Sequence, residues 1–358
     1  MDLLVVDGSR GEGGGQILRT ALALAAVTGR PLRVERIRAG RPNPGLAAQH
    51  LTGVRAAAAL CAATVEGDAI GSQTLTFAPG QTPAPGHYVF DVAAVRPGGS
   101  AGAVTLVLHT VLLPLVFATG QSTVAVHGGT HVAWSPSVDY VGEVWLPTLA
   151  RMGVEASLDL VRWGWYPVGR GQVQVHIRGR GGATARLEPL DLRHRGGLRR
   201  VRGRAVVSHL PGHIAERMAR HARSLLAAAD VQAHIQAALV DAACPGAGLF
   251  LTAEYASARA GFGALGSPGK RAEAVAAEAV AALMAHRASG AAFDAHLADQ
   301  MIVPLALAGG QSVFTTERVS RHLVTNAWVV EQFGVARVSV AKQKDGTGLV
   351  TIRPSLEA

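Results

Sequence analysis

Leu297-Ala-Asp-Gln-Met-Ile-Val-Pro-Leu-Ala-Leu-Ala-Gly-Gly-Gln-Ser312 decides the fold, because an apolar helical run that closes on Gly-Gln-Ser occurs twice in the chain. Its counterpart is Val104-Thr-Leu-Val-Leu-His-Thr-Val-Leu-Leu-Pro-Leu-Val-Phe-Ala-Thr-Gly-Gln-Ser122. In each case a strand-like run follows, then a loop, a second helix and another strand. An N-terminal copy has the same order: helix 17–29, strand 32–38, a loop with Pro42, Pro44 and Gly45, helix 46–61 and strand 63–66. A fixed order recurring three times is the signature of a structural repeat. Gly29 and Gly120 are 91 positions apart and Gly120 and Gly310 are 190 apart, so about 99 residues are inserted before the third copy.

The expected fold is therefore α/β (α+β), with three repeated units of a four-stranded sheet packed on two helices and a small inserted α/β domain. Further strands are expected at 73–77, 87–91 and 172–177. The repeats should occupy 1–185 and 286–358, and the insert 186–285. Within the insert, helices are expected at 213–229 and 270–286 and a strand at 248–255.

Composition limits the functional classes. A chain of 358 residues, 49% hydrophobic and 16% charged, has enough apolar surface for real cores. Its longest apolar run, 104–119, holds His109 and Pro114 and is shorter than the roughly 20 residues of a membrane span. The N-terminus lacks the pattern of a signal peptide, and Cys61 and Cys244 are the only cysteines, so a cytoplasmic protein without disulfides is expected. The net charge of +9 points to polyanionic partners, while 5% aromatic content argues against extensive base stacking along a strand.

Chemistry-bearing residues gather at the helix starts. Asp7-Gly-Ser-Arg-Gly-Glu-Gly-Gly-Gly-Gln16 joins an apolar strand to a helix, and its glycines can present backbone N–H groups to phosphate. Glu12 in that loop is a candidate ligand for a divalent metal, and Arg19 lies one turn further on. Arg38 and Arg41, with Gln49 across a Pro-rich loop, suit phosphate recognition. Asp299 enters an apolar helix either as a cap or as a site residue. His322 opens the run Arg321-His-Leu-Val-Thr-Asn326. An imidazole at a helix N-terminus is kept neutral by the dipole and is then a competent nucleophile. Gly266-Ser-Pro-Gly-Lys270 fails as a phosphate-binding P-loop, because Ala264 and Arg271 stand where glycine and Ser/Thr are needed. Two distant cysteines cannot make a structural zinc site.

GEGGGQILRTALAL (11–24), RIRAGRPNPGL (36–46) with Gln49, SAGAVTLVL (100–108), GGTHVAWSPSVDY (128–140), GWYPVGRG (164–171), HLADQMIVPLALAGG (296–310) and RHLVTN (321–326) together resemble the RNA 3'-terminal phosphate cyclases. The resemblance spans nearly the whole chain. It implies ATP and a divalent metal, Mg or Mn, acting with an RNA that ends in a 3'-phosphate. His322 would take AMP from ATP, the AMP would pass to the RNA end, and the neighbouring 2'-OH would close a 2',3'-cyclic phosphate. Residue by residue, it implies that His322 is the nucleophile and that Asp299 orients it or the ribose. His109, His296, Leu297, Ala298, Asp299 and Gln300 would bind nucleotide, Arg19, Arg38, Arg41 and Gln49 would hold the phosphates, and Glu12 would hold the metal. His109, His131 and Arg170 depart from the family pattern. Two other readings have a similar architecture. One is a non-catalytic ribosome-assembly relative that lacks the histidine; the other is an enolpyruvyl transferase, for which six repeats in a longer chain are expected. The basic run Arg178, Arg180, Arg186, Arg193, Arg195, Arg199, Arg200, Arg202 and Arg204 is either an RNA-binding edge or a solvated one. The oligomeric state is left open.

Overall fold

The computed structural model describes residues 2–95, 100–182 and 184–355. The first unit is β1 (Leu4–Asp7), α1 (Gly15–Thr28), β2 (Leu32–Glu35), α2 (Ala48–Cys61), β3 (Thr64–Glu66) and β4 (Leu75–Ala78). Its sheet has the order β1-β2-β4-β3, with β1 parallel to β2 and the remaining pairs antiparallel. Gly29, at φ 70°, ends α1 in the left-handed conformation that glycine adopts without cost.

The second unit repeats this plan with β5 (His87–Asp91), α3 (Val104–Val116), β6 (Gln121–Gly128), a helical stretch, β7 (Glu155–Arg162) and β8 (Gly171–Arg178), in sheet order β5-β6-β8-β7. Its second helix departs from the expected single element. It runs as α4 (Val138–Tyr140), a π-helical turn (Val141–Trp145) and α5 (Leu146–Ala150).

The third unit begins with the two-residue β9 (Asp191–Leu192), which lies parallel to a strand more than a hundred positions later. Between the two runs the inserted segment: β10 (Leu198–Ser208), α6 (His213–Ala227), β11 (Ala233–Leu239), β12 (Gly246–Tyr255), β13 (Arg259–Leu265) and α7 (Ala272–Ser289). The unit then resumes with α8 (Ala295–Ala306), β14 (Ser312–Thr316), α9 (Arg321–Gln332), β15 (Ala336–Lys342) and β16 (Gly348–Pro354), in sheet order β15-β16-β14-β9. The expected insert of 186–285 is thus crossed at both ends, since β9 pairs in the third sheet and α7 continues to Ser289. Two residues of strand are too short for a periodicity signal, so β9 could not be read from the sequence.

One apolar core runs through all three repeats. Its inner layer is helical: α1 packs on α2, α3 and α9, and α8 packs on α9. The apolar run at 104–116 is α3, whose residues are buried except His109. The inserted sheet, ordered β11-β10-β12-β13, has its own core with α6 and α7. No helix among the described residues is long and apolar enough to cross a membrane.

Candidate active site

In each repeat the first two strands are parallel, so their C-terminal ends and the helix starts that follow lie at one edge of the sheet, the usual position for ligands in such folds. The Gly-rich loop follows β1, the arginine loop follows β2, and α9 follows β14. Close packing holds the first of these against the third unit. A Cβ on Gly11, at φ 62°, would stand 2.2 Å from Thr325 Oγ1, so only glycine fits there.

His322 is the second residue of α9. Ser320 caps that helix by accepting from the Leu323 N–H at 2.9 Å, and it also donates to the Asp299 carboxylate. The His322 side chain is 43% exposed, and its Nδ1 lies 3.6 Å from Glu12 Oε1. Burial, aided by Arg19, Arg41 and His296, holds its pKa below the usual histidine range against the pull of Glu12. The ring is thus kept neutral. With Nδ1 turned toward a carboxylate, Nε2 is the ring nitrogen that does not face it.

Glu12 is itself ion-paired to Arg41. Behind the pair, Arg19 is partly buried and donates to Gln16 Oε1 at 2.7 Å. Burial pushes its pKa down to about 10. Arg38 donates to the Gly45 carbonyl at 2.7 Å. Arg19, Arg38, Arg41 and Glu12 are therefore brought together as expected. Gln49 is placed differently: its Oε1 accepts from the Ala103 N–H at 2.9 Å, tying the first unit to the start of α3. The next residue, His50, points into the arginine cluster, with Nε2 2.1 Å from where a Cβ on Gly15 would be. Burial and then Arg19, Arg38 and Arg41 keep His50 well below the usual range.

A pocket adjoins this cluster, lined by Gln16, Arg19, His109, Trp145, Asp299, Gln300 and Asn326 among others. The His109 ring lies 4.5 Å from that of Trp145, and burial with Arg19 nearby lowers its pKa to about 3, so it enters as a neutral hydrogen-bonding group. The Asp299 carboxyl is buried, which raises its pKa to about 7. Asn326 accepts from Thr20 Oγ1 at 2.7 Å and donates to the Asp299 carbonyl at 2.8 Å, which locks α9 to α1 and α8. Of the segment 296–300, Leu297 and Ala298 point into the core and His296 is exposed, with its ring edge toward Tyr140. Any nucleotide contact from Leu297 or Ala298 would therefore come from the backbone.

His131 lies elsewhere, buried 2.6 Å from Asp139 and stacked on Trp163. Arg170 is exposed at φ 54°, in the conformation glycine would adopt more easily. Most of the basic run is occupied within the chain. Arg178, Arg193, Arg200, Arg202 and Arg204 meet Glu155, Asp191, Glu254, Glu143 and Asp139 respectively, while Arg195 donates to backbone carbonyls at 286, 287 and 291. Residues without an assigned role in the sequence reading prove central: His50, Asn326, Trp145 and Ser320. Asn326 lies in the run 321–326, and His50 directly follows Gln49. Trp145 sits in a π-helical turn for which no sequence signal exists.

Thirteen buried side-chain polar atoms lack a hydrogen bond among the described residues, and seven belong to this region: Glu12 Oε1, Arg19 Nε, His50 Nδ1, His109 Nε2, Trp145 Nε1, Gln300 Oε1 and His322 Nδ1. Buried polar groups are almost always satisfied, so such a concentration marks a place whose bonding is completed by ligand or water. No group of three or more metal-ligating side chains occurs among the described residues. Glu12 fits as a single carboxylate ligand to a cation that takes its other oxygens from phosphates and water.

A family model described as RNA 3'-terminal phosphate cyclase matches residues 10–340. A protein of that name from Methylococcus capsulatus is 59% identical over 352 residues, 98% of this chain and 97% of its own length. One from Nostoc punctiforme is 50% identical over 94% of this chain and 96% of its own. One from Archaeoglobus fulgidus is 44% identical over 92% and 95%. Agreement of this extent across bacteria and an archaeon, over all three repeats and the insert, makes this chain an enzyme of the RNA 3'-terminal phosphate cyclase family.

Proposed function

We propose that the enzyme uses ATP to convert an RNA 3'-terminal phosphate into a 2',3'-cyclic phosphodiester through AMP carried on His322. Nε2 of His322 attacks the α-phosphorus; the N–P bond forms, the bond to the β-phosphate oxygen breaks, and pyrophosphate leaves. An oxygen of the RNA 3'-phosphate then displaces the histidine, taking AMP as a phosphoanhydride. The 2'-OH closes on the 3'-phosphorus, loses its proton, and AMP departs. The P–N bond is labile enough to pass AMP on, and adenylylation gives the terminal phosphate a good leaving group. The closing step needs little beyond positioning, since its nucleophile neighbours the phosphorus.

The observation that carries this reading is the cluster of unsatisfied buried polar atoms around a neutral, half-exposed histidine at a helix start. Arg19, Arg38 and Arg41 supply positive charge for phosphate oxygens, and a donor set of this kind is worth most in a site that excludes water. His109, Trp145 and Gln300 offer a mixed apolar and polar wall for the nucleoside. Asp299, through Ser320, fixes the start of α9 and with it the His322 ring. A divalent cation bound at Glu12, Mg²⁺ or Mn²⁺, would supply charge neutralisation on the triphosphate. Free, buried Cys61 and Cys244 accord with a cytoplasmic site of action.

The test is the intact mass of the protein after incubation with ATP and Mg²⁺ or Mn²⁺. A gain of one AMP is expected for the unmodified chain and none for His322→Asn. Absence of the adduct under both metals, or its persistence in the variant, overturns the assignment.

A further inference from the structure

The loop after the second strand carries the arginines in the first unit and leads to His322 in the third. In the second unit the equivalent loop follows β6 and presents Trp134, which is 99% exposed and held at φ 65°. A bulky residue in the left-handed region is an outlier that persists only where its surroundings impose it. Here they do: the Thr130 and His131 N–H groups both donate to the Gly164 carbonyl, at 2.9 and 3.1 Å, and His131 is clamped by Asp139 and Trp163. That contact joins the loop to the segment 163–170, which shows a second large ring to solvent, Tyr166 at 77% exposure. Arg170 on this segment and Arg162 just before it are exposed, and no Asp or Glu occurs between positions 128 and 138 or between 160 and 187.

Both loops pack on the segment 101–104 at the start of α3. Gly129 donates to the Gly102 carbonyl and Val104 to that of Gly129, each at 2.9 Å, and a Cβ on Gly169 would stand 2.9 Å from Ala101 Cα. Ala103, between Gly102 and Val104, donates to Gln49, whose neighbour His50 points into the arginine cluster. A continuous set of backbone bonds thus links the loop that bears Trp134, through 102–104 and Gln49, to the helix that carries His50.

We propose that Trp134 and Tyr166, flanked by Arg162 and Arg170, form a stacking platform for unpaired RNA bases just upstream of the 3'-terminal phosphate. The proposal rests on the function proposed above, because it assumes that the RNA end lies at Arg19, Arg38 and Arg41. An aromatic face accepts any base, and exposed guanidinium groups beside it attract the backbone, so the platform would give affinity without sequence preference. Two rings can serve only one or two bases, in keeping with the low aromatic content of the chain.

The experiment compares the unmodified enzyme with Trp134→Ala/Tyr166→Ala and with Trp134→Phe. A labelled single-stranded oligoribonucleotide bearing a 3'-phosphate is bound without ATP, and oligomeric state is followed by sedimentation. The double variant is expected to bind about 10- to 100-fold more weakly, with Trp134→Phe close to the unmodified protein and the oligomeric state unchanged. AMP transfer from ATP to His322, read by intact mass, should be unaffected in both variants. Equal RNA affinity in the double variant overturns the proposal, as does a loss of affinity that coincides with dissociation of an oligomer. Failure of the unmodified protein to take up AMP would sink the proposed function but leave the RNA-binding comparison readable.

Discussion

At His322 two opposed influences act on one ring: burial and neighbouring cations remove its proton, and Glu12 pulls it back. The balance leaves the pKa below the normal range, so the neutral imidazole should predominate throughout neutral pH. The rate of AMP uptake should accordingly stay flat down to about pH 6.5 and fall only below it, in a series of single-turnover mass measurements. A rate already falling between pH 8 and 7 would refute this. Asp299 carries the opposite sign. Its pKa is raised to about 7, so above pH 3.8 the unfolded chain gives up a proton that the folded chain still holds, and stability declines as pH climbs through that window. Asp299→Asn removes the penalty and keeps an oxygen for Ser320. It should raise unfolding free energy at pH 8 by about 2 kcal/mol and change it little near pH 4, measured by denaturant titration. Equal effects at both pH values would count against a buried carboxyl here.

At the level of elements, periodicity exposed both long apolar helices and most strands, because their residues alternate or recur with the geometry of the element that buries them. It said nothing of β9 or of the π-helical turn at 141–145, which exist through partners remote in the chain. The same holds for cross-links between helices. Asn326 is fully buried and joins three helices, so Asn326→Ala should destabilise by about 3 kcal/mol, leaving the Thr20 hydroxyl and the Asp299 carbonyl without their partner. Gln49→Ala removes the acceptor of the Ala103 N–H and should cost about 1 kcal/mol in an equilibrium unfolding experiment. An unchanged midpoint for Gln49→Ala would mean that water replaces the amide.

For the whole molecule, the inserted segment docks on the second unit through Arg202 to Glu143 and Arg204 to Asp139, the latter already paired with His131. Two arginines of the basic run thus tie the insert to the second unit, and Arg199 alone among Arg199, Arg200, Arg202 and Arg204 has no carboxylate partner among the described residues. Neutralising all four should lower the salt slope of RNA binding by only about 1, far less than four phosphate contacts would require. Arg204→Ala on its own should destabilise by about 2 kcal/mol, because Asp139 stays buried with one partner fewer. A slope that falls by several units would instead make this edge an RNA-binding surface.

Chain order alone established the repeats, the inserted segment and the motif residues around Glu12, Arg19, Arg38, Arg41 and His322, since hydrophobic period and local turn chemistry are written in adjacent positions. Folding alone turned Gln49 into a tie between units, aimed His50 into the arginines, set Trp145 against His109 and bound most of the basic run to acids. Those outcomes depend on which side chains meet across tens to hundreds of intervening residues. Such meetings are fixed by packing and by the need to pair every buried polar group, and no local pattern encodes them.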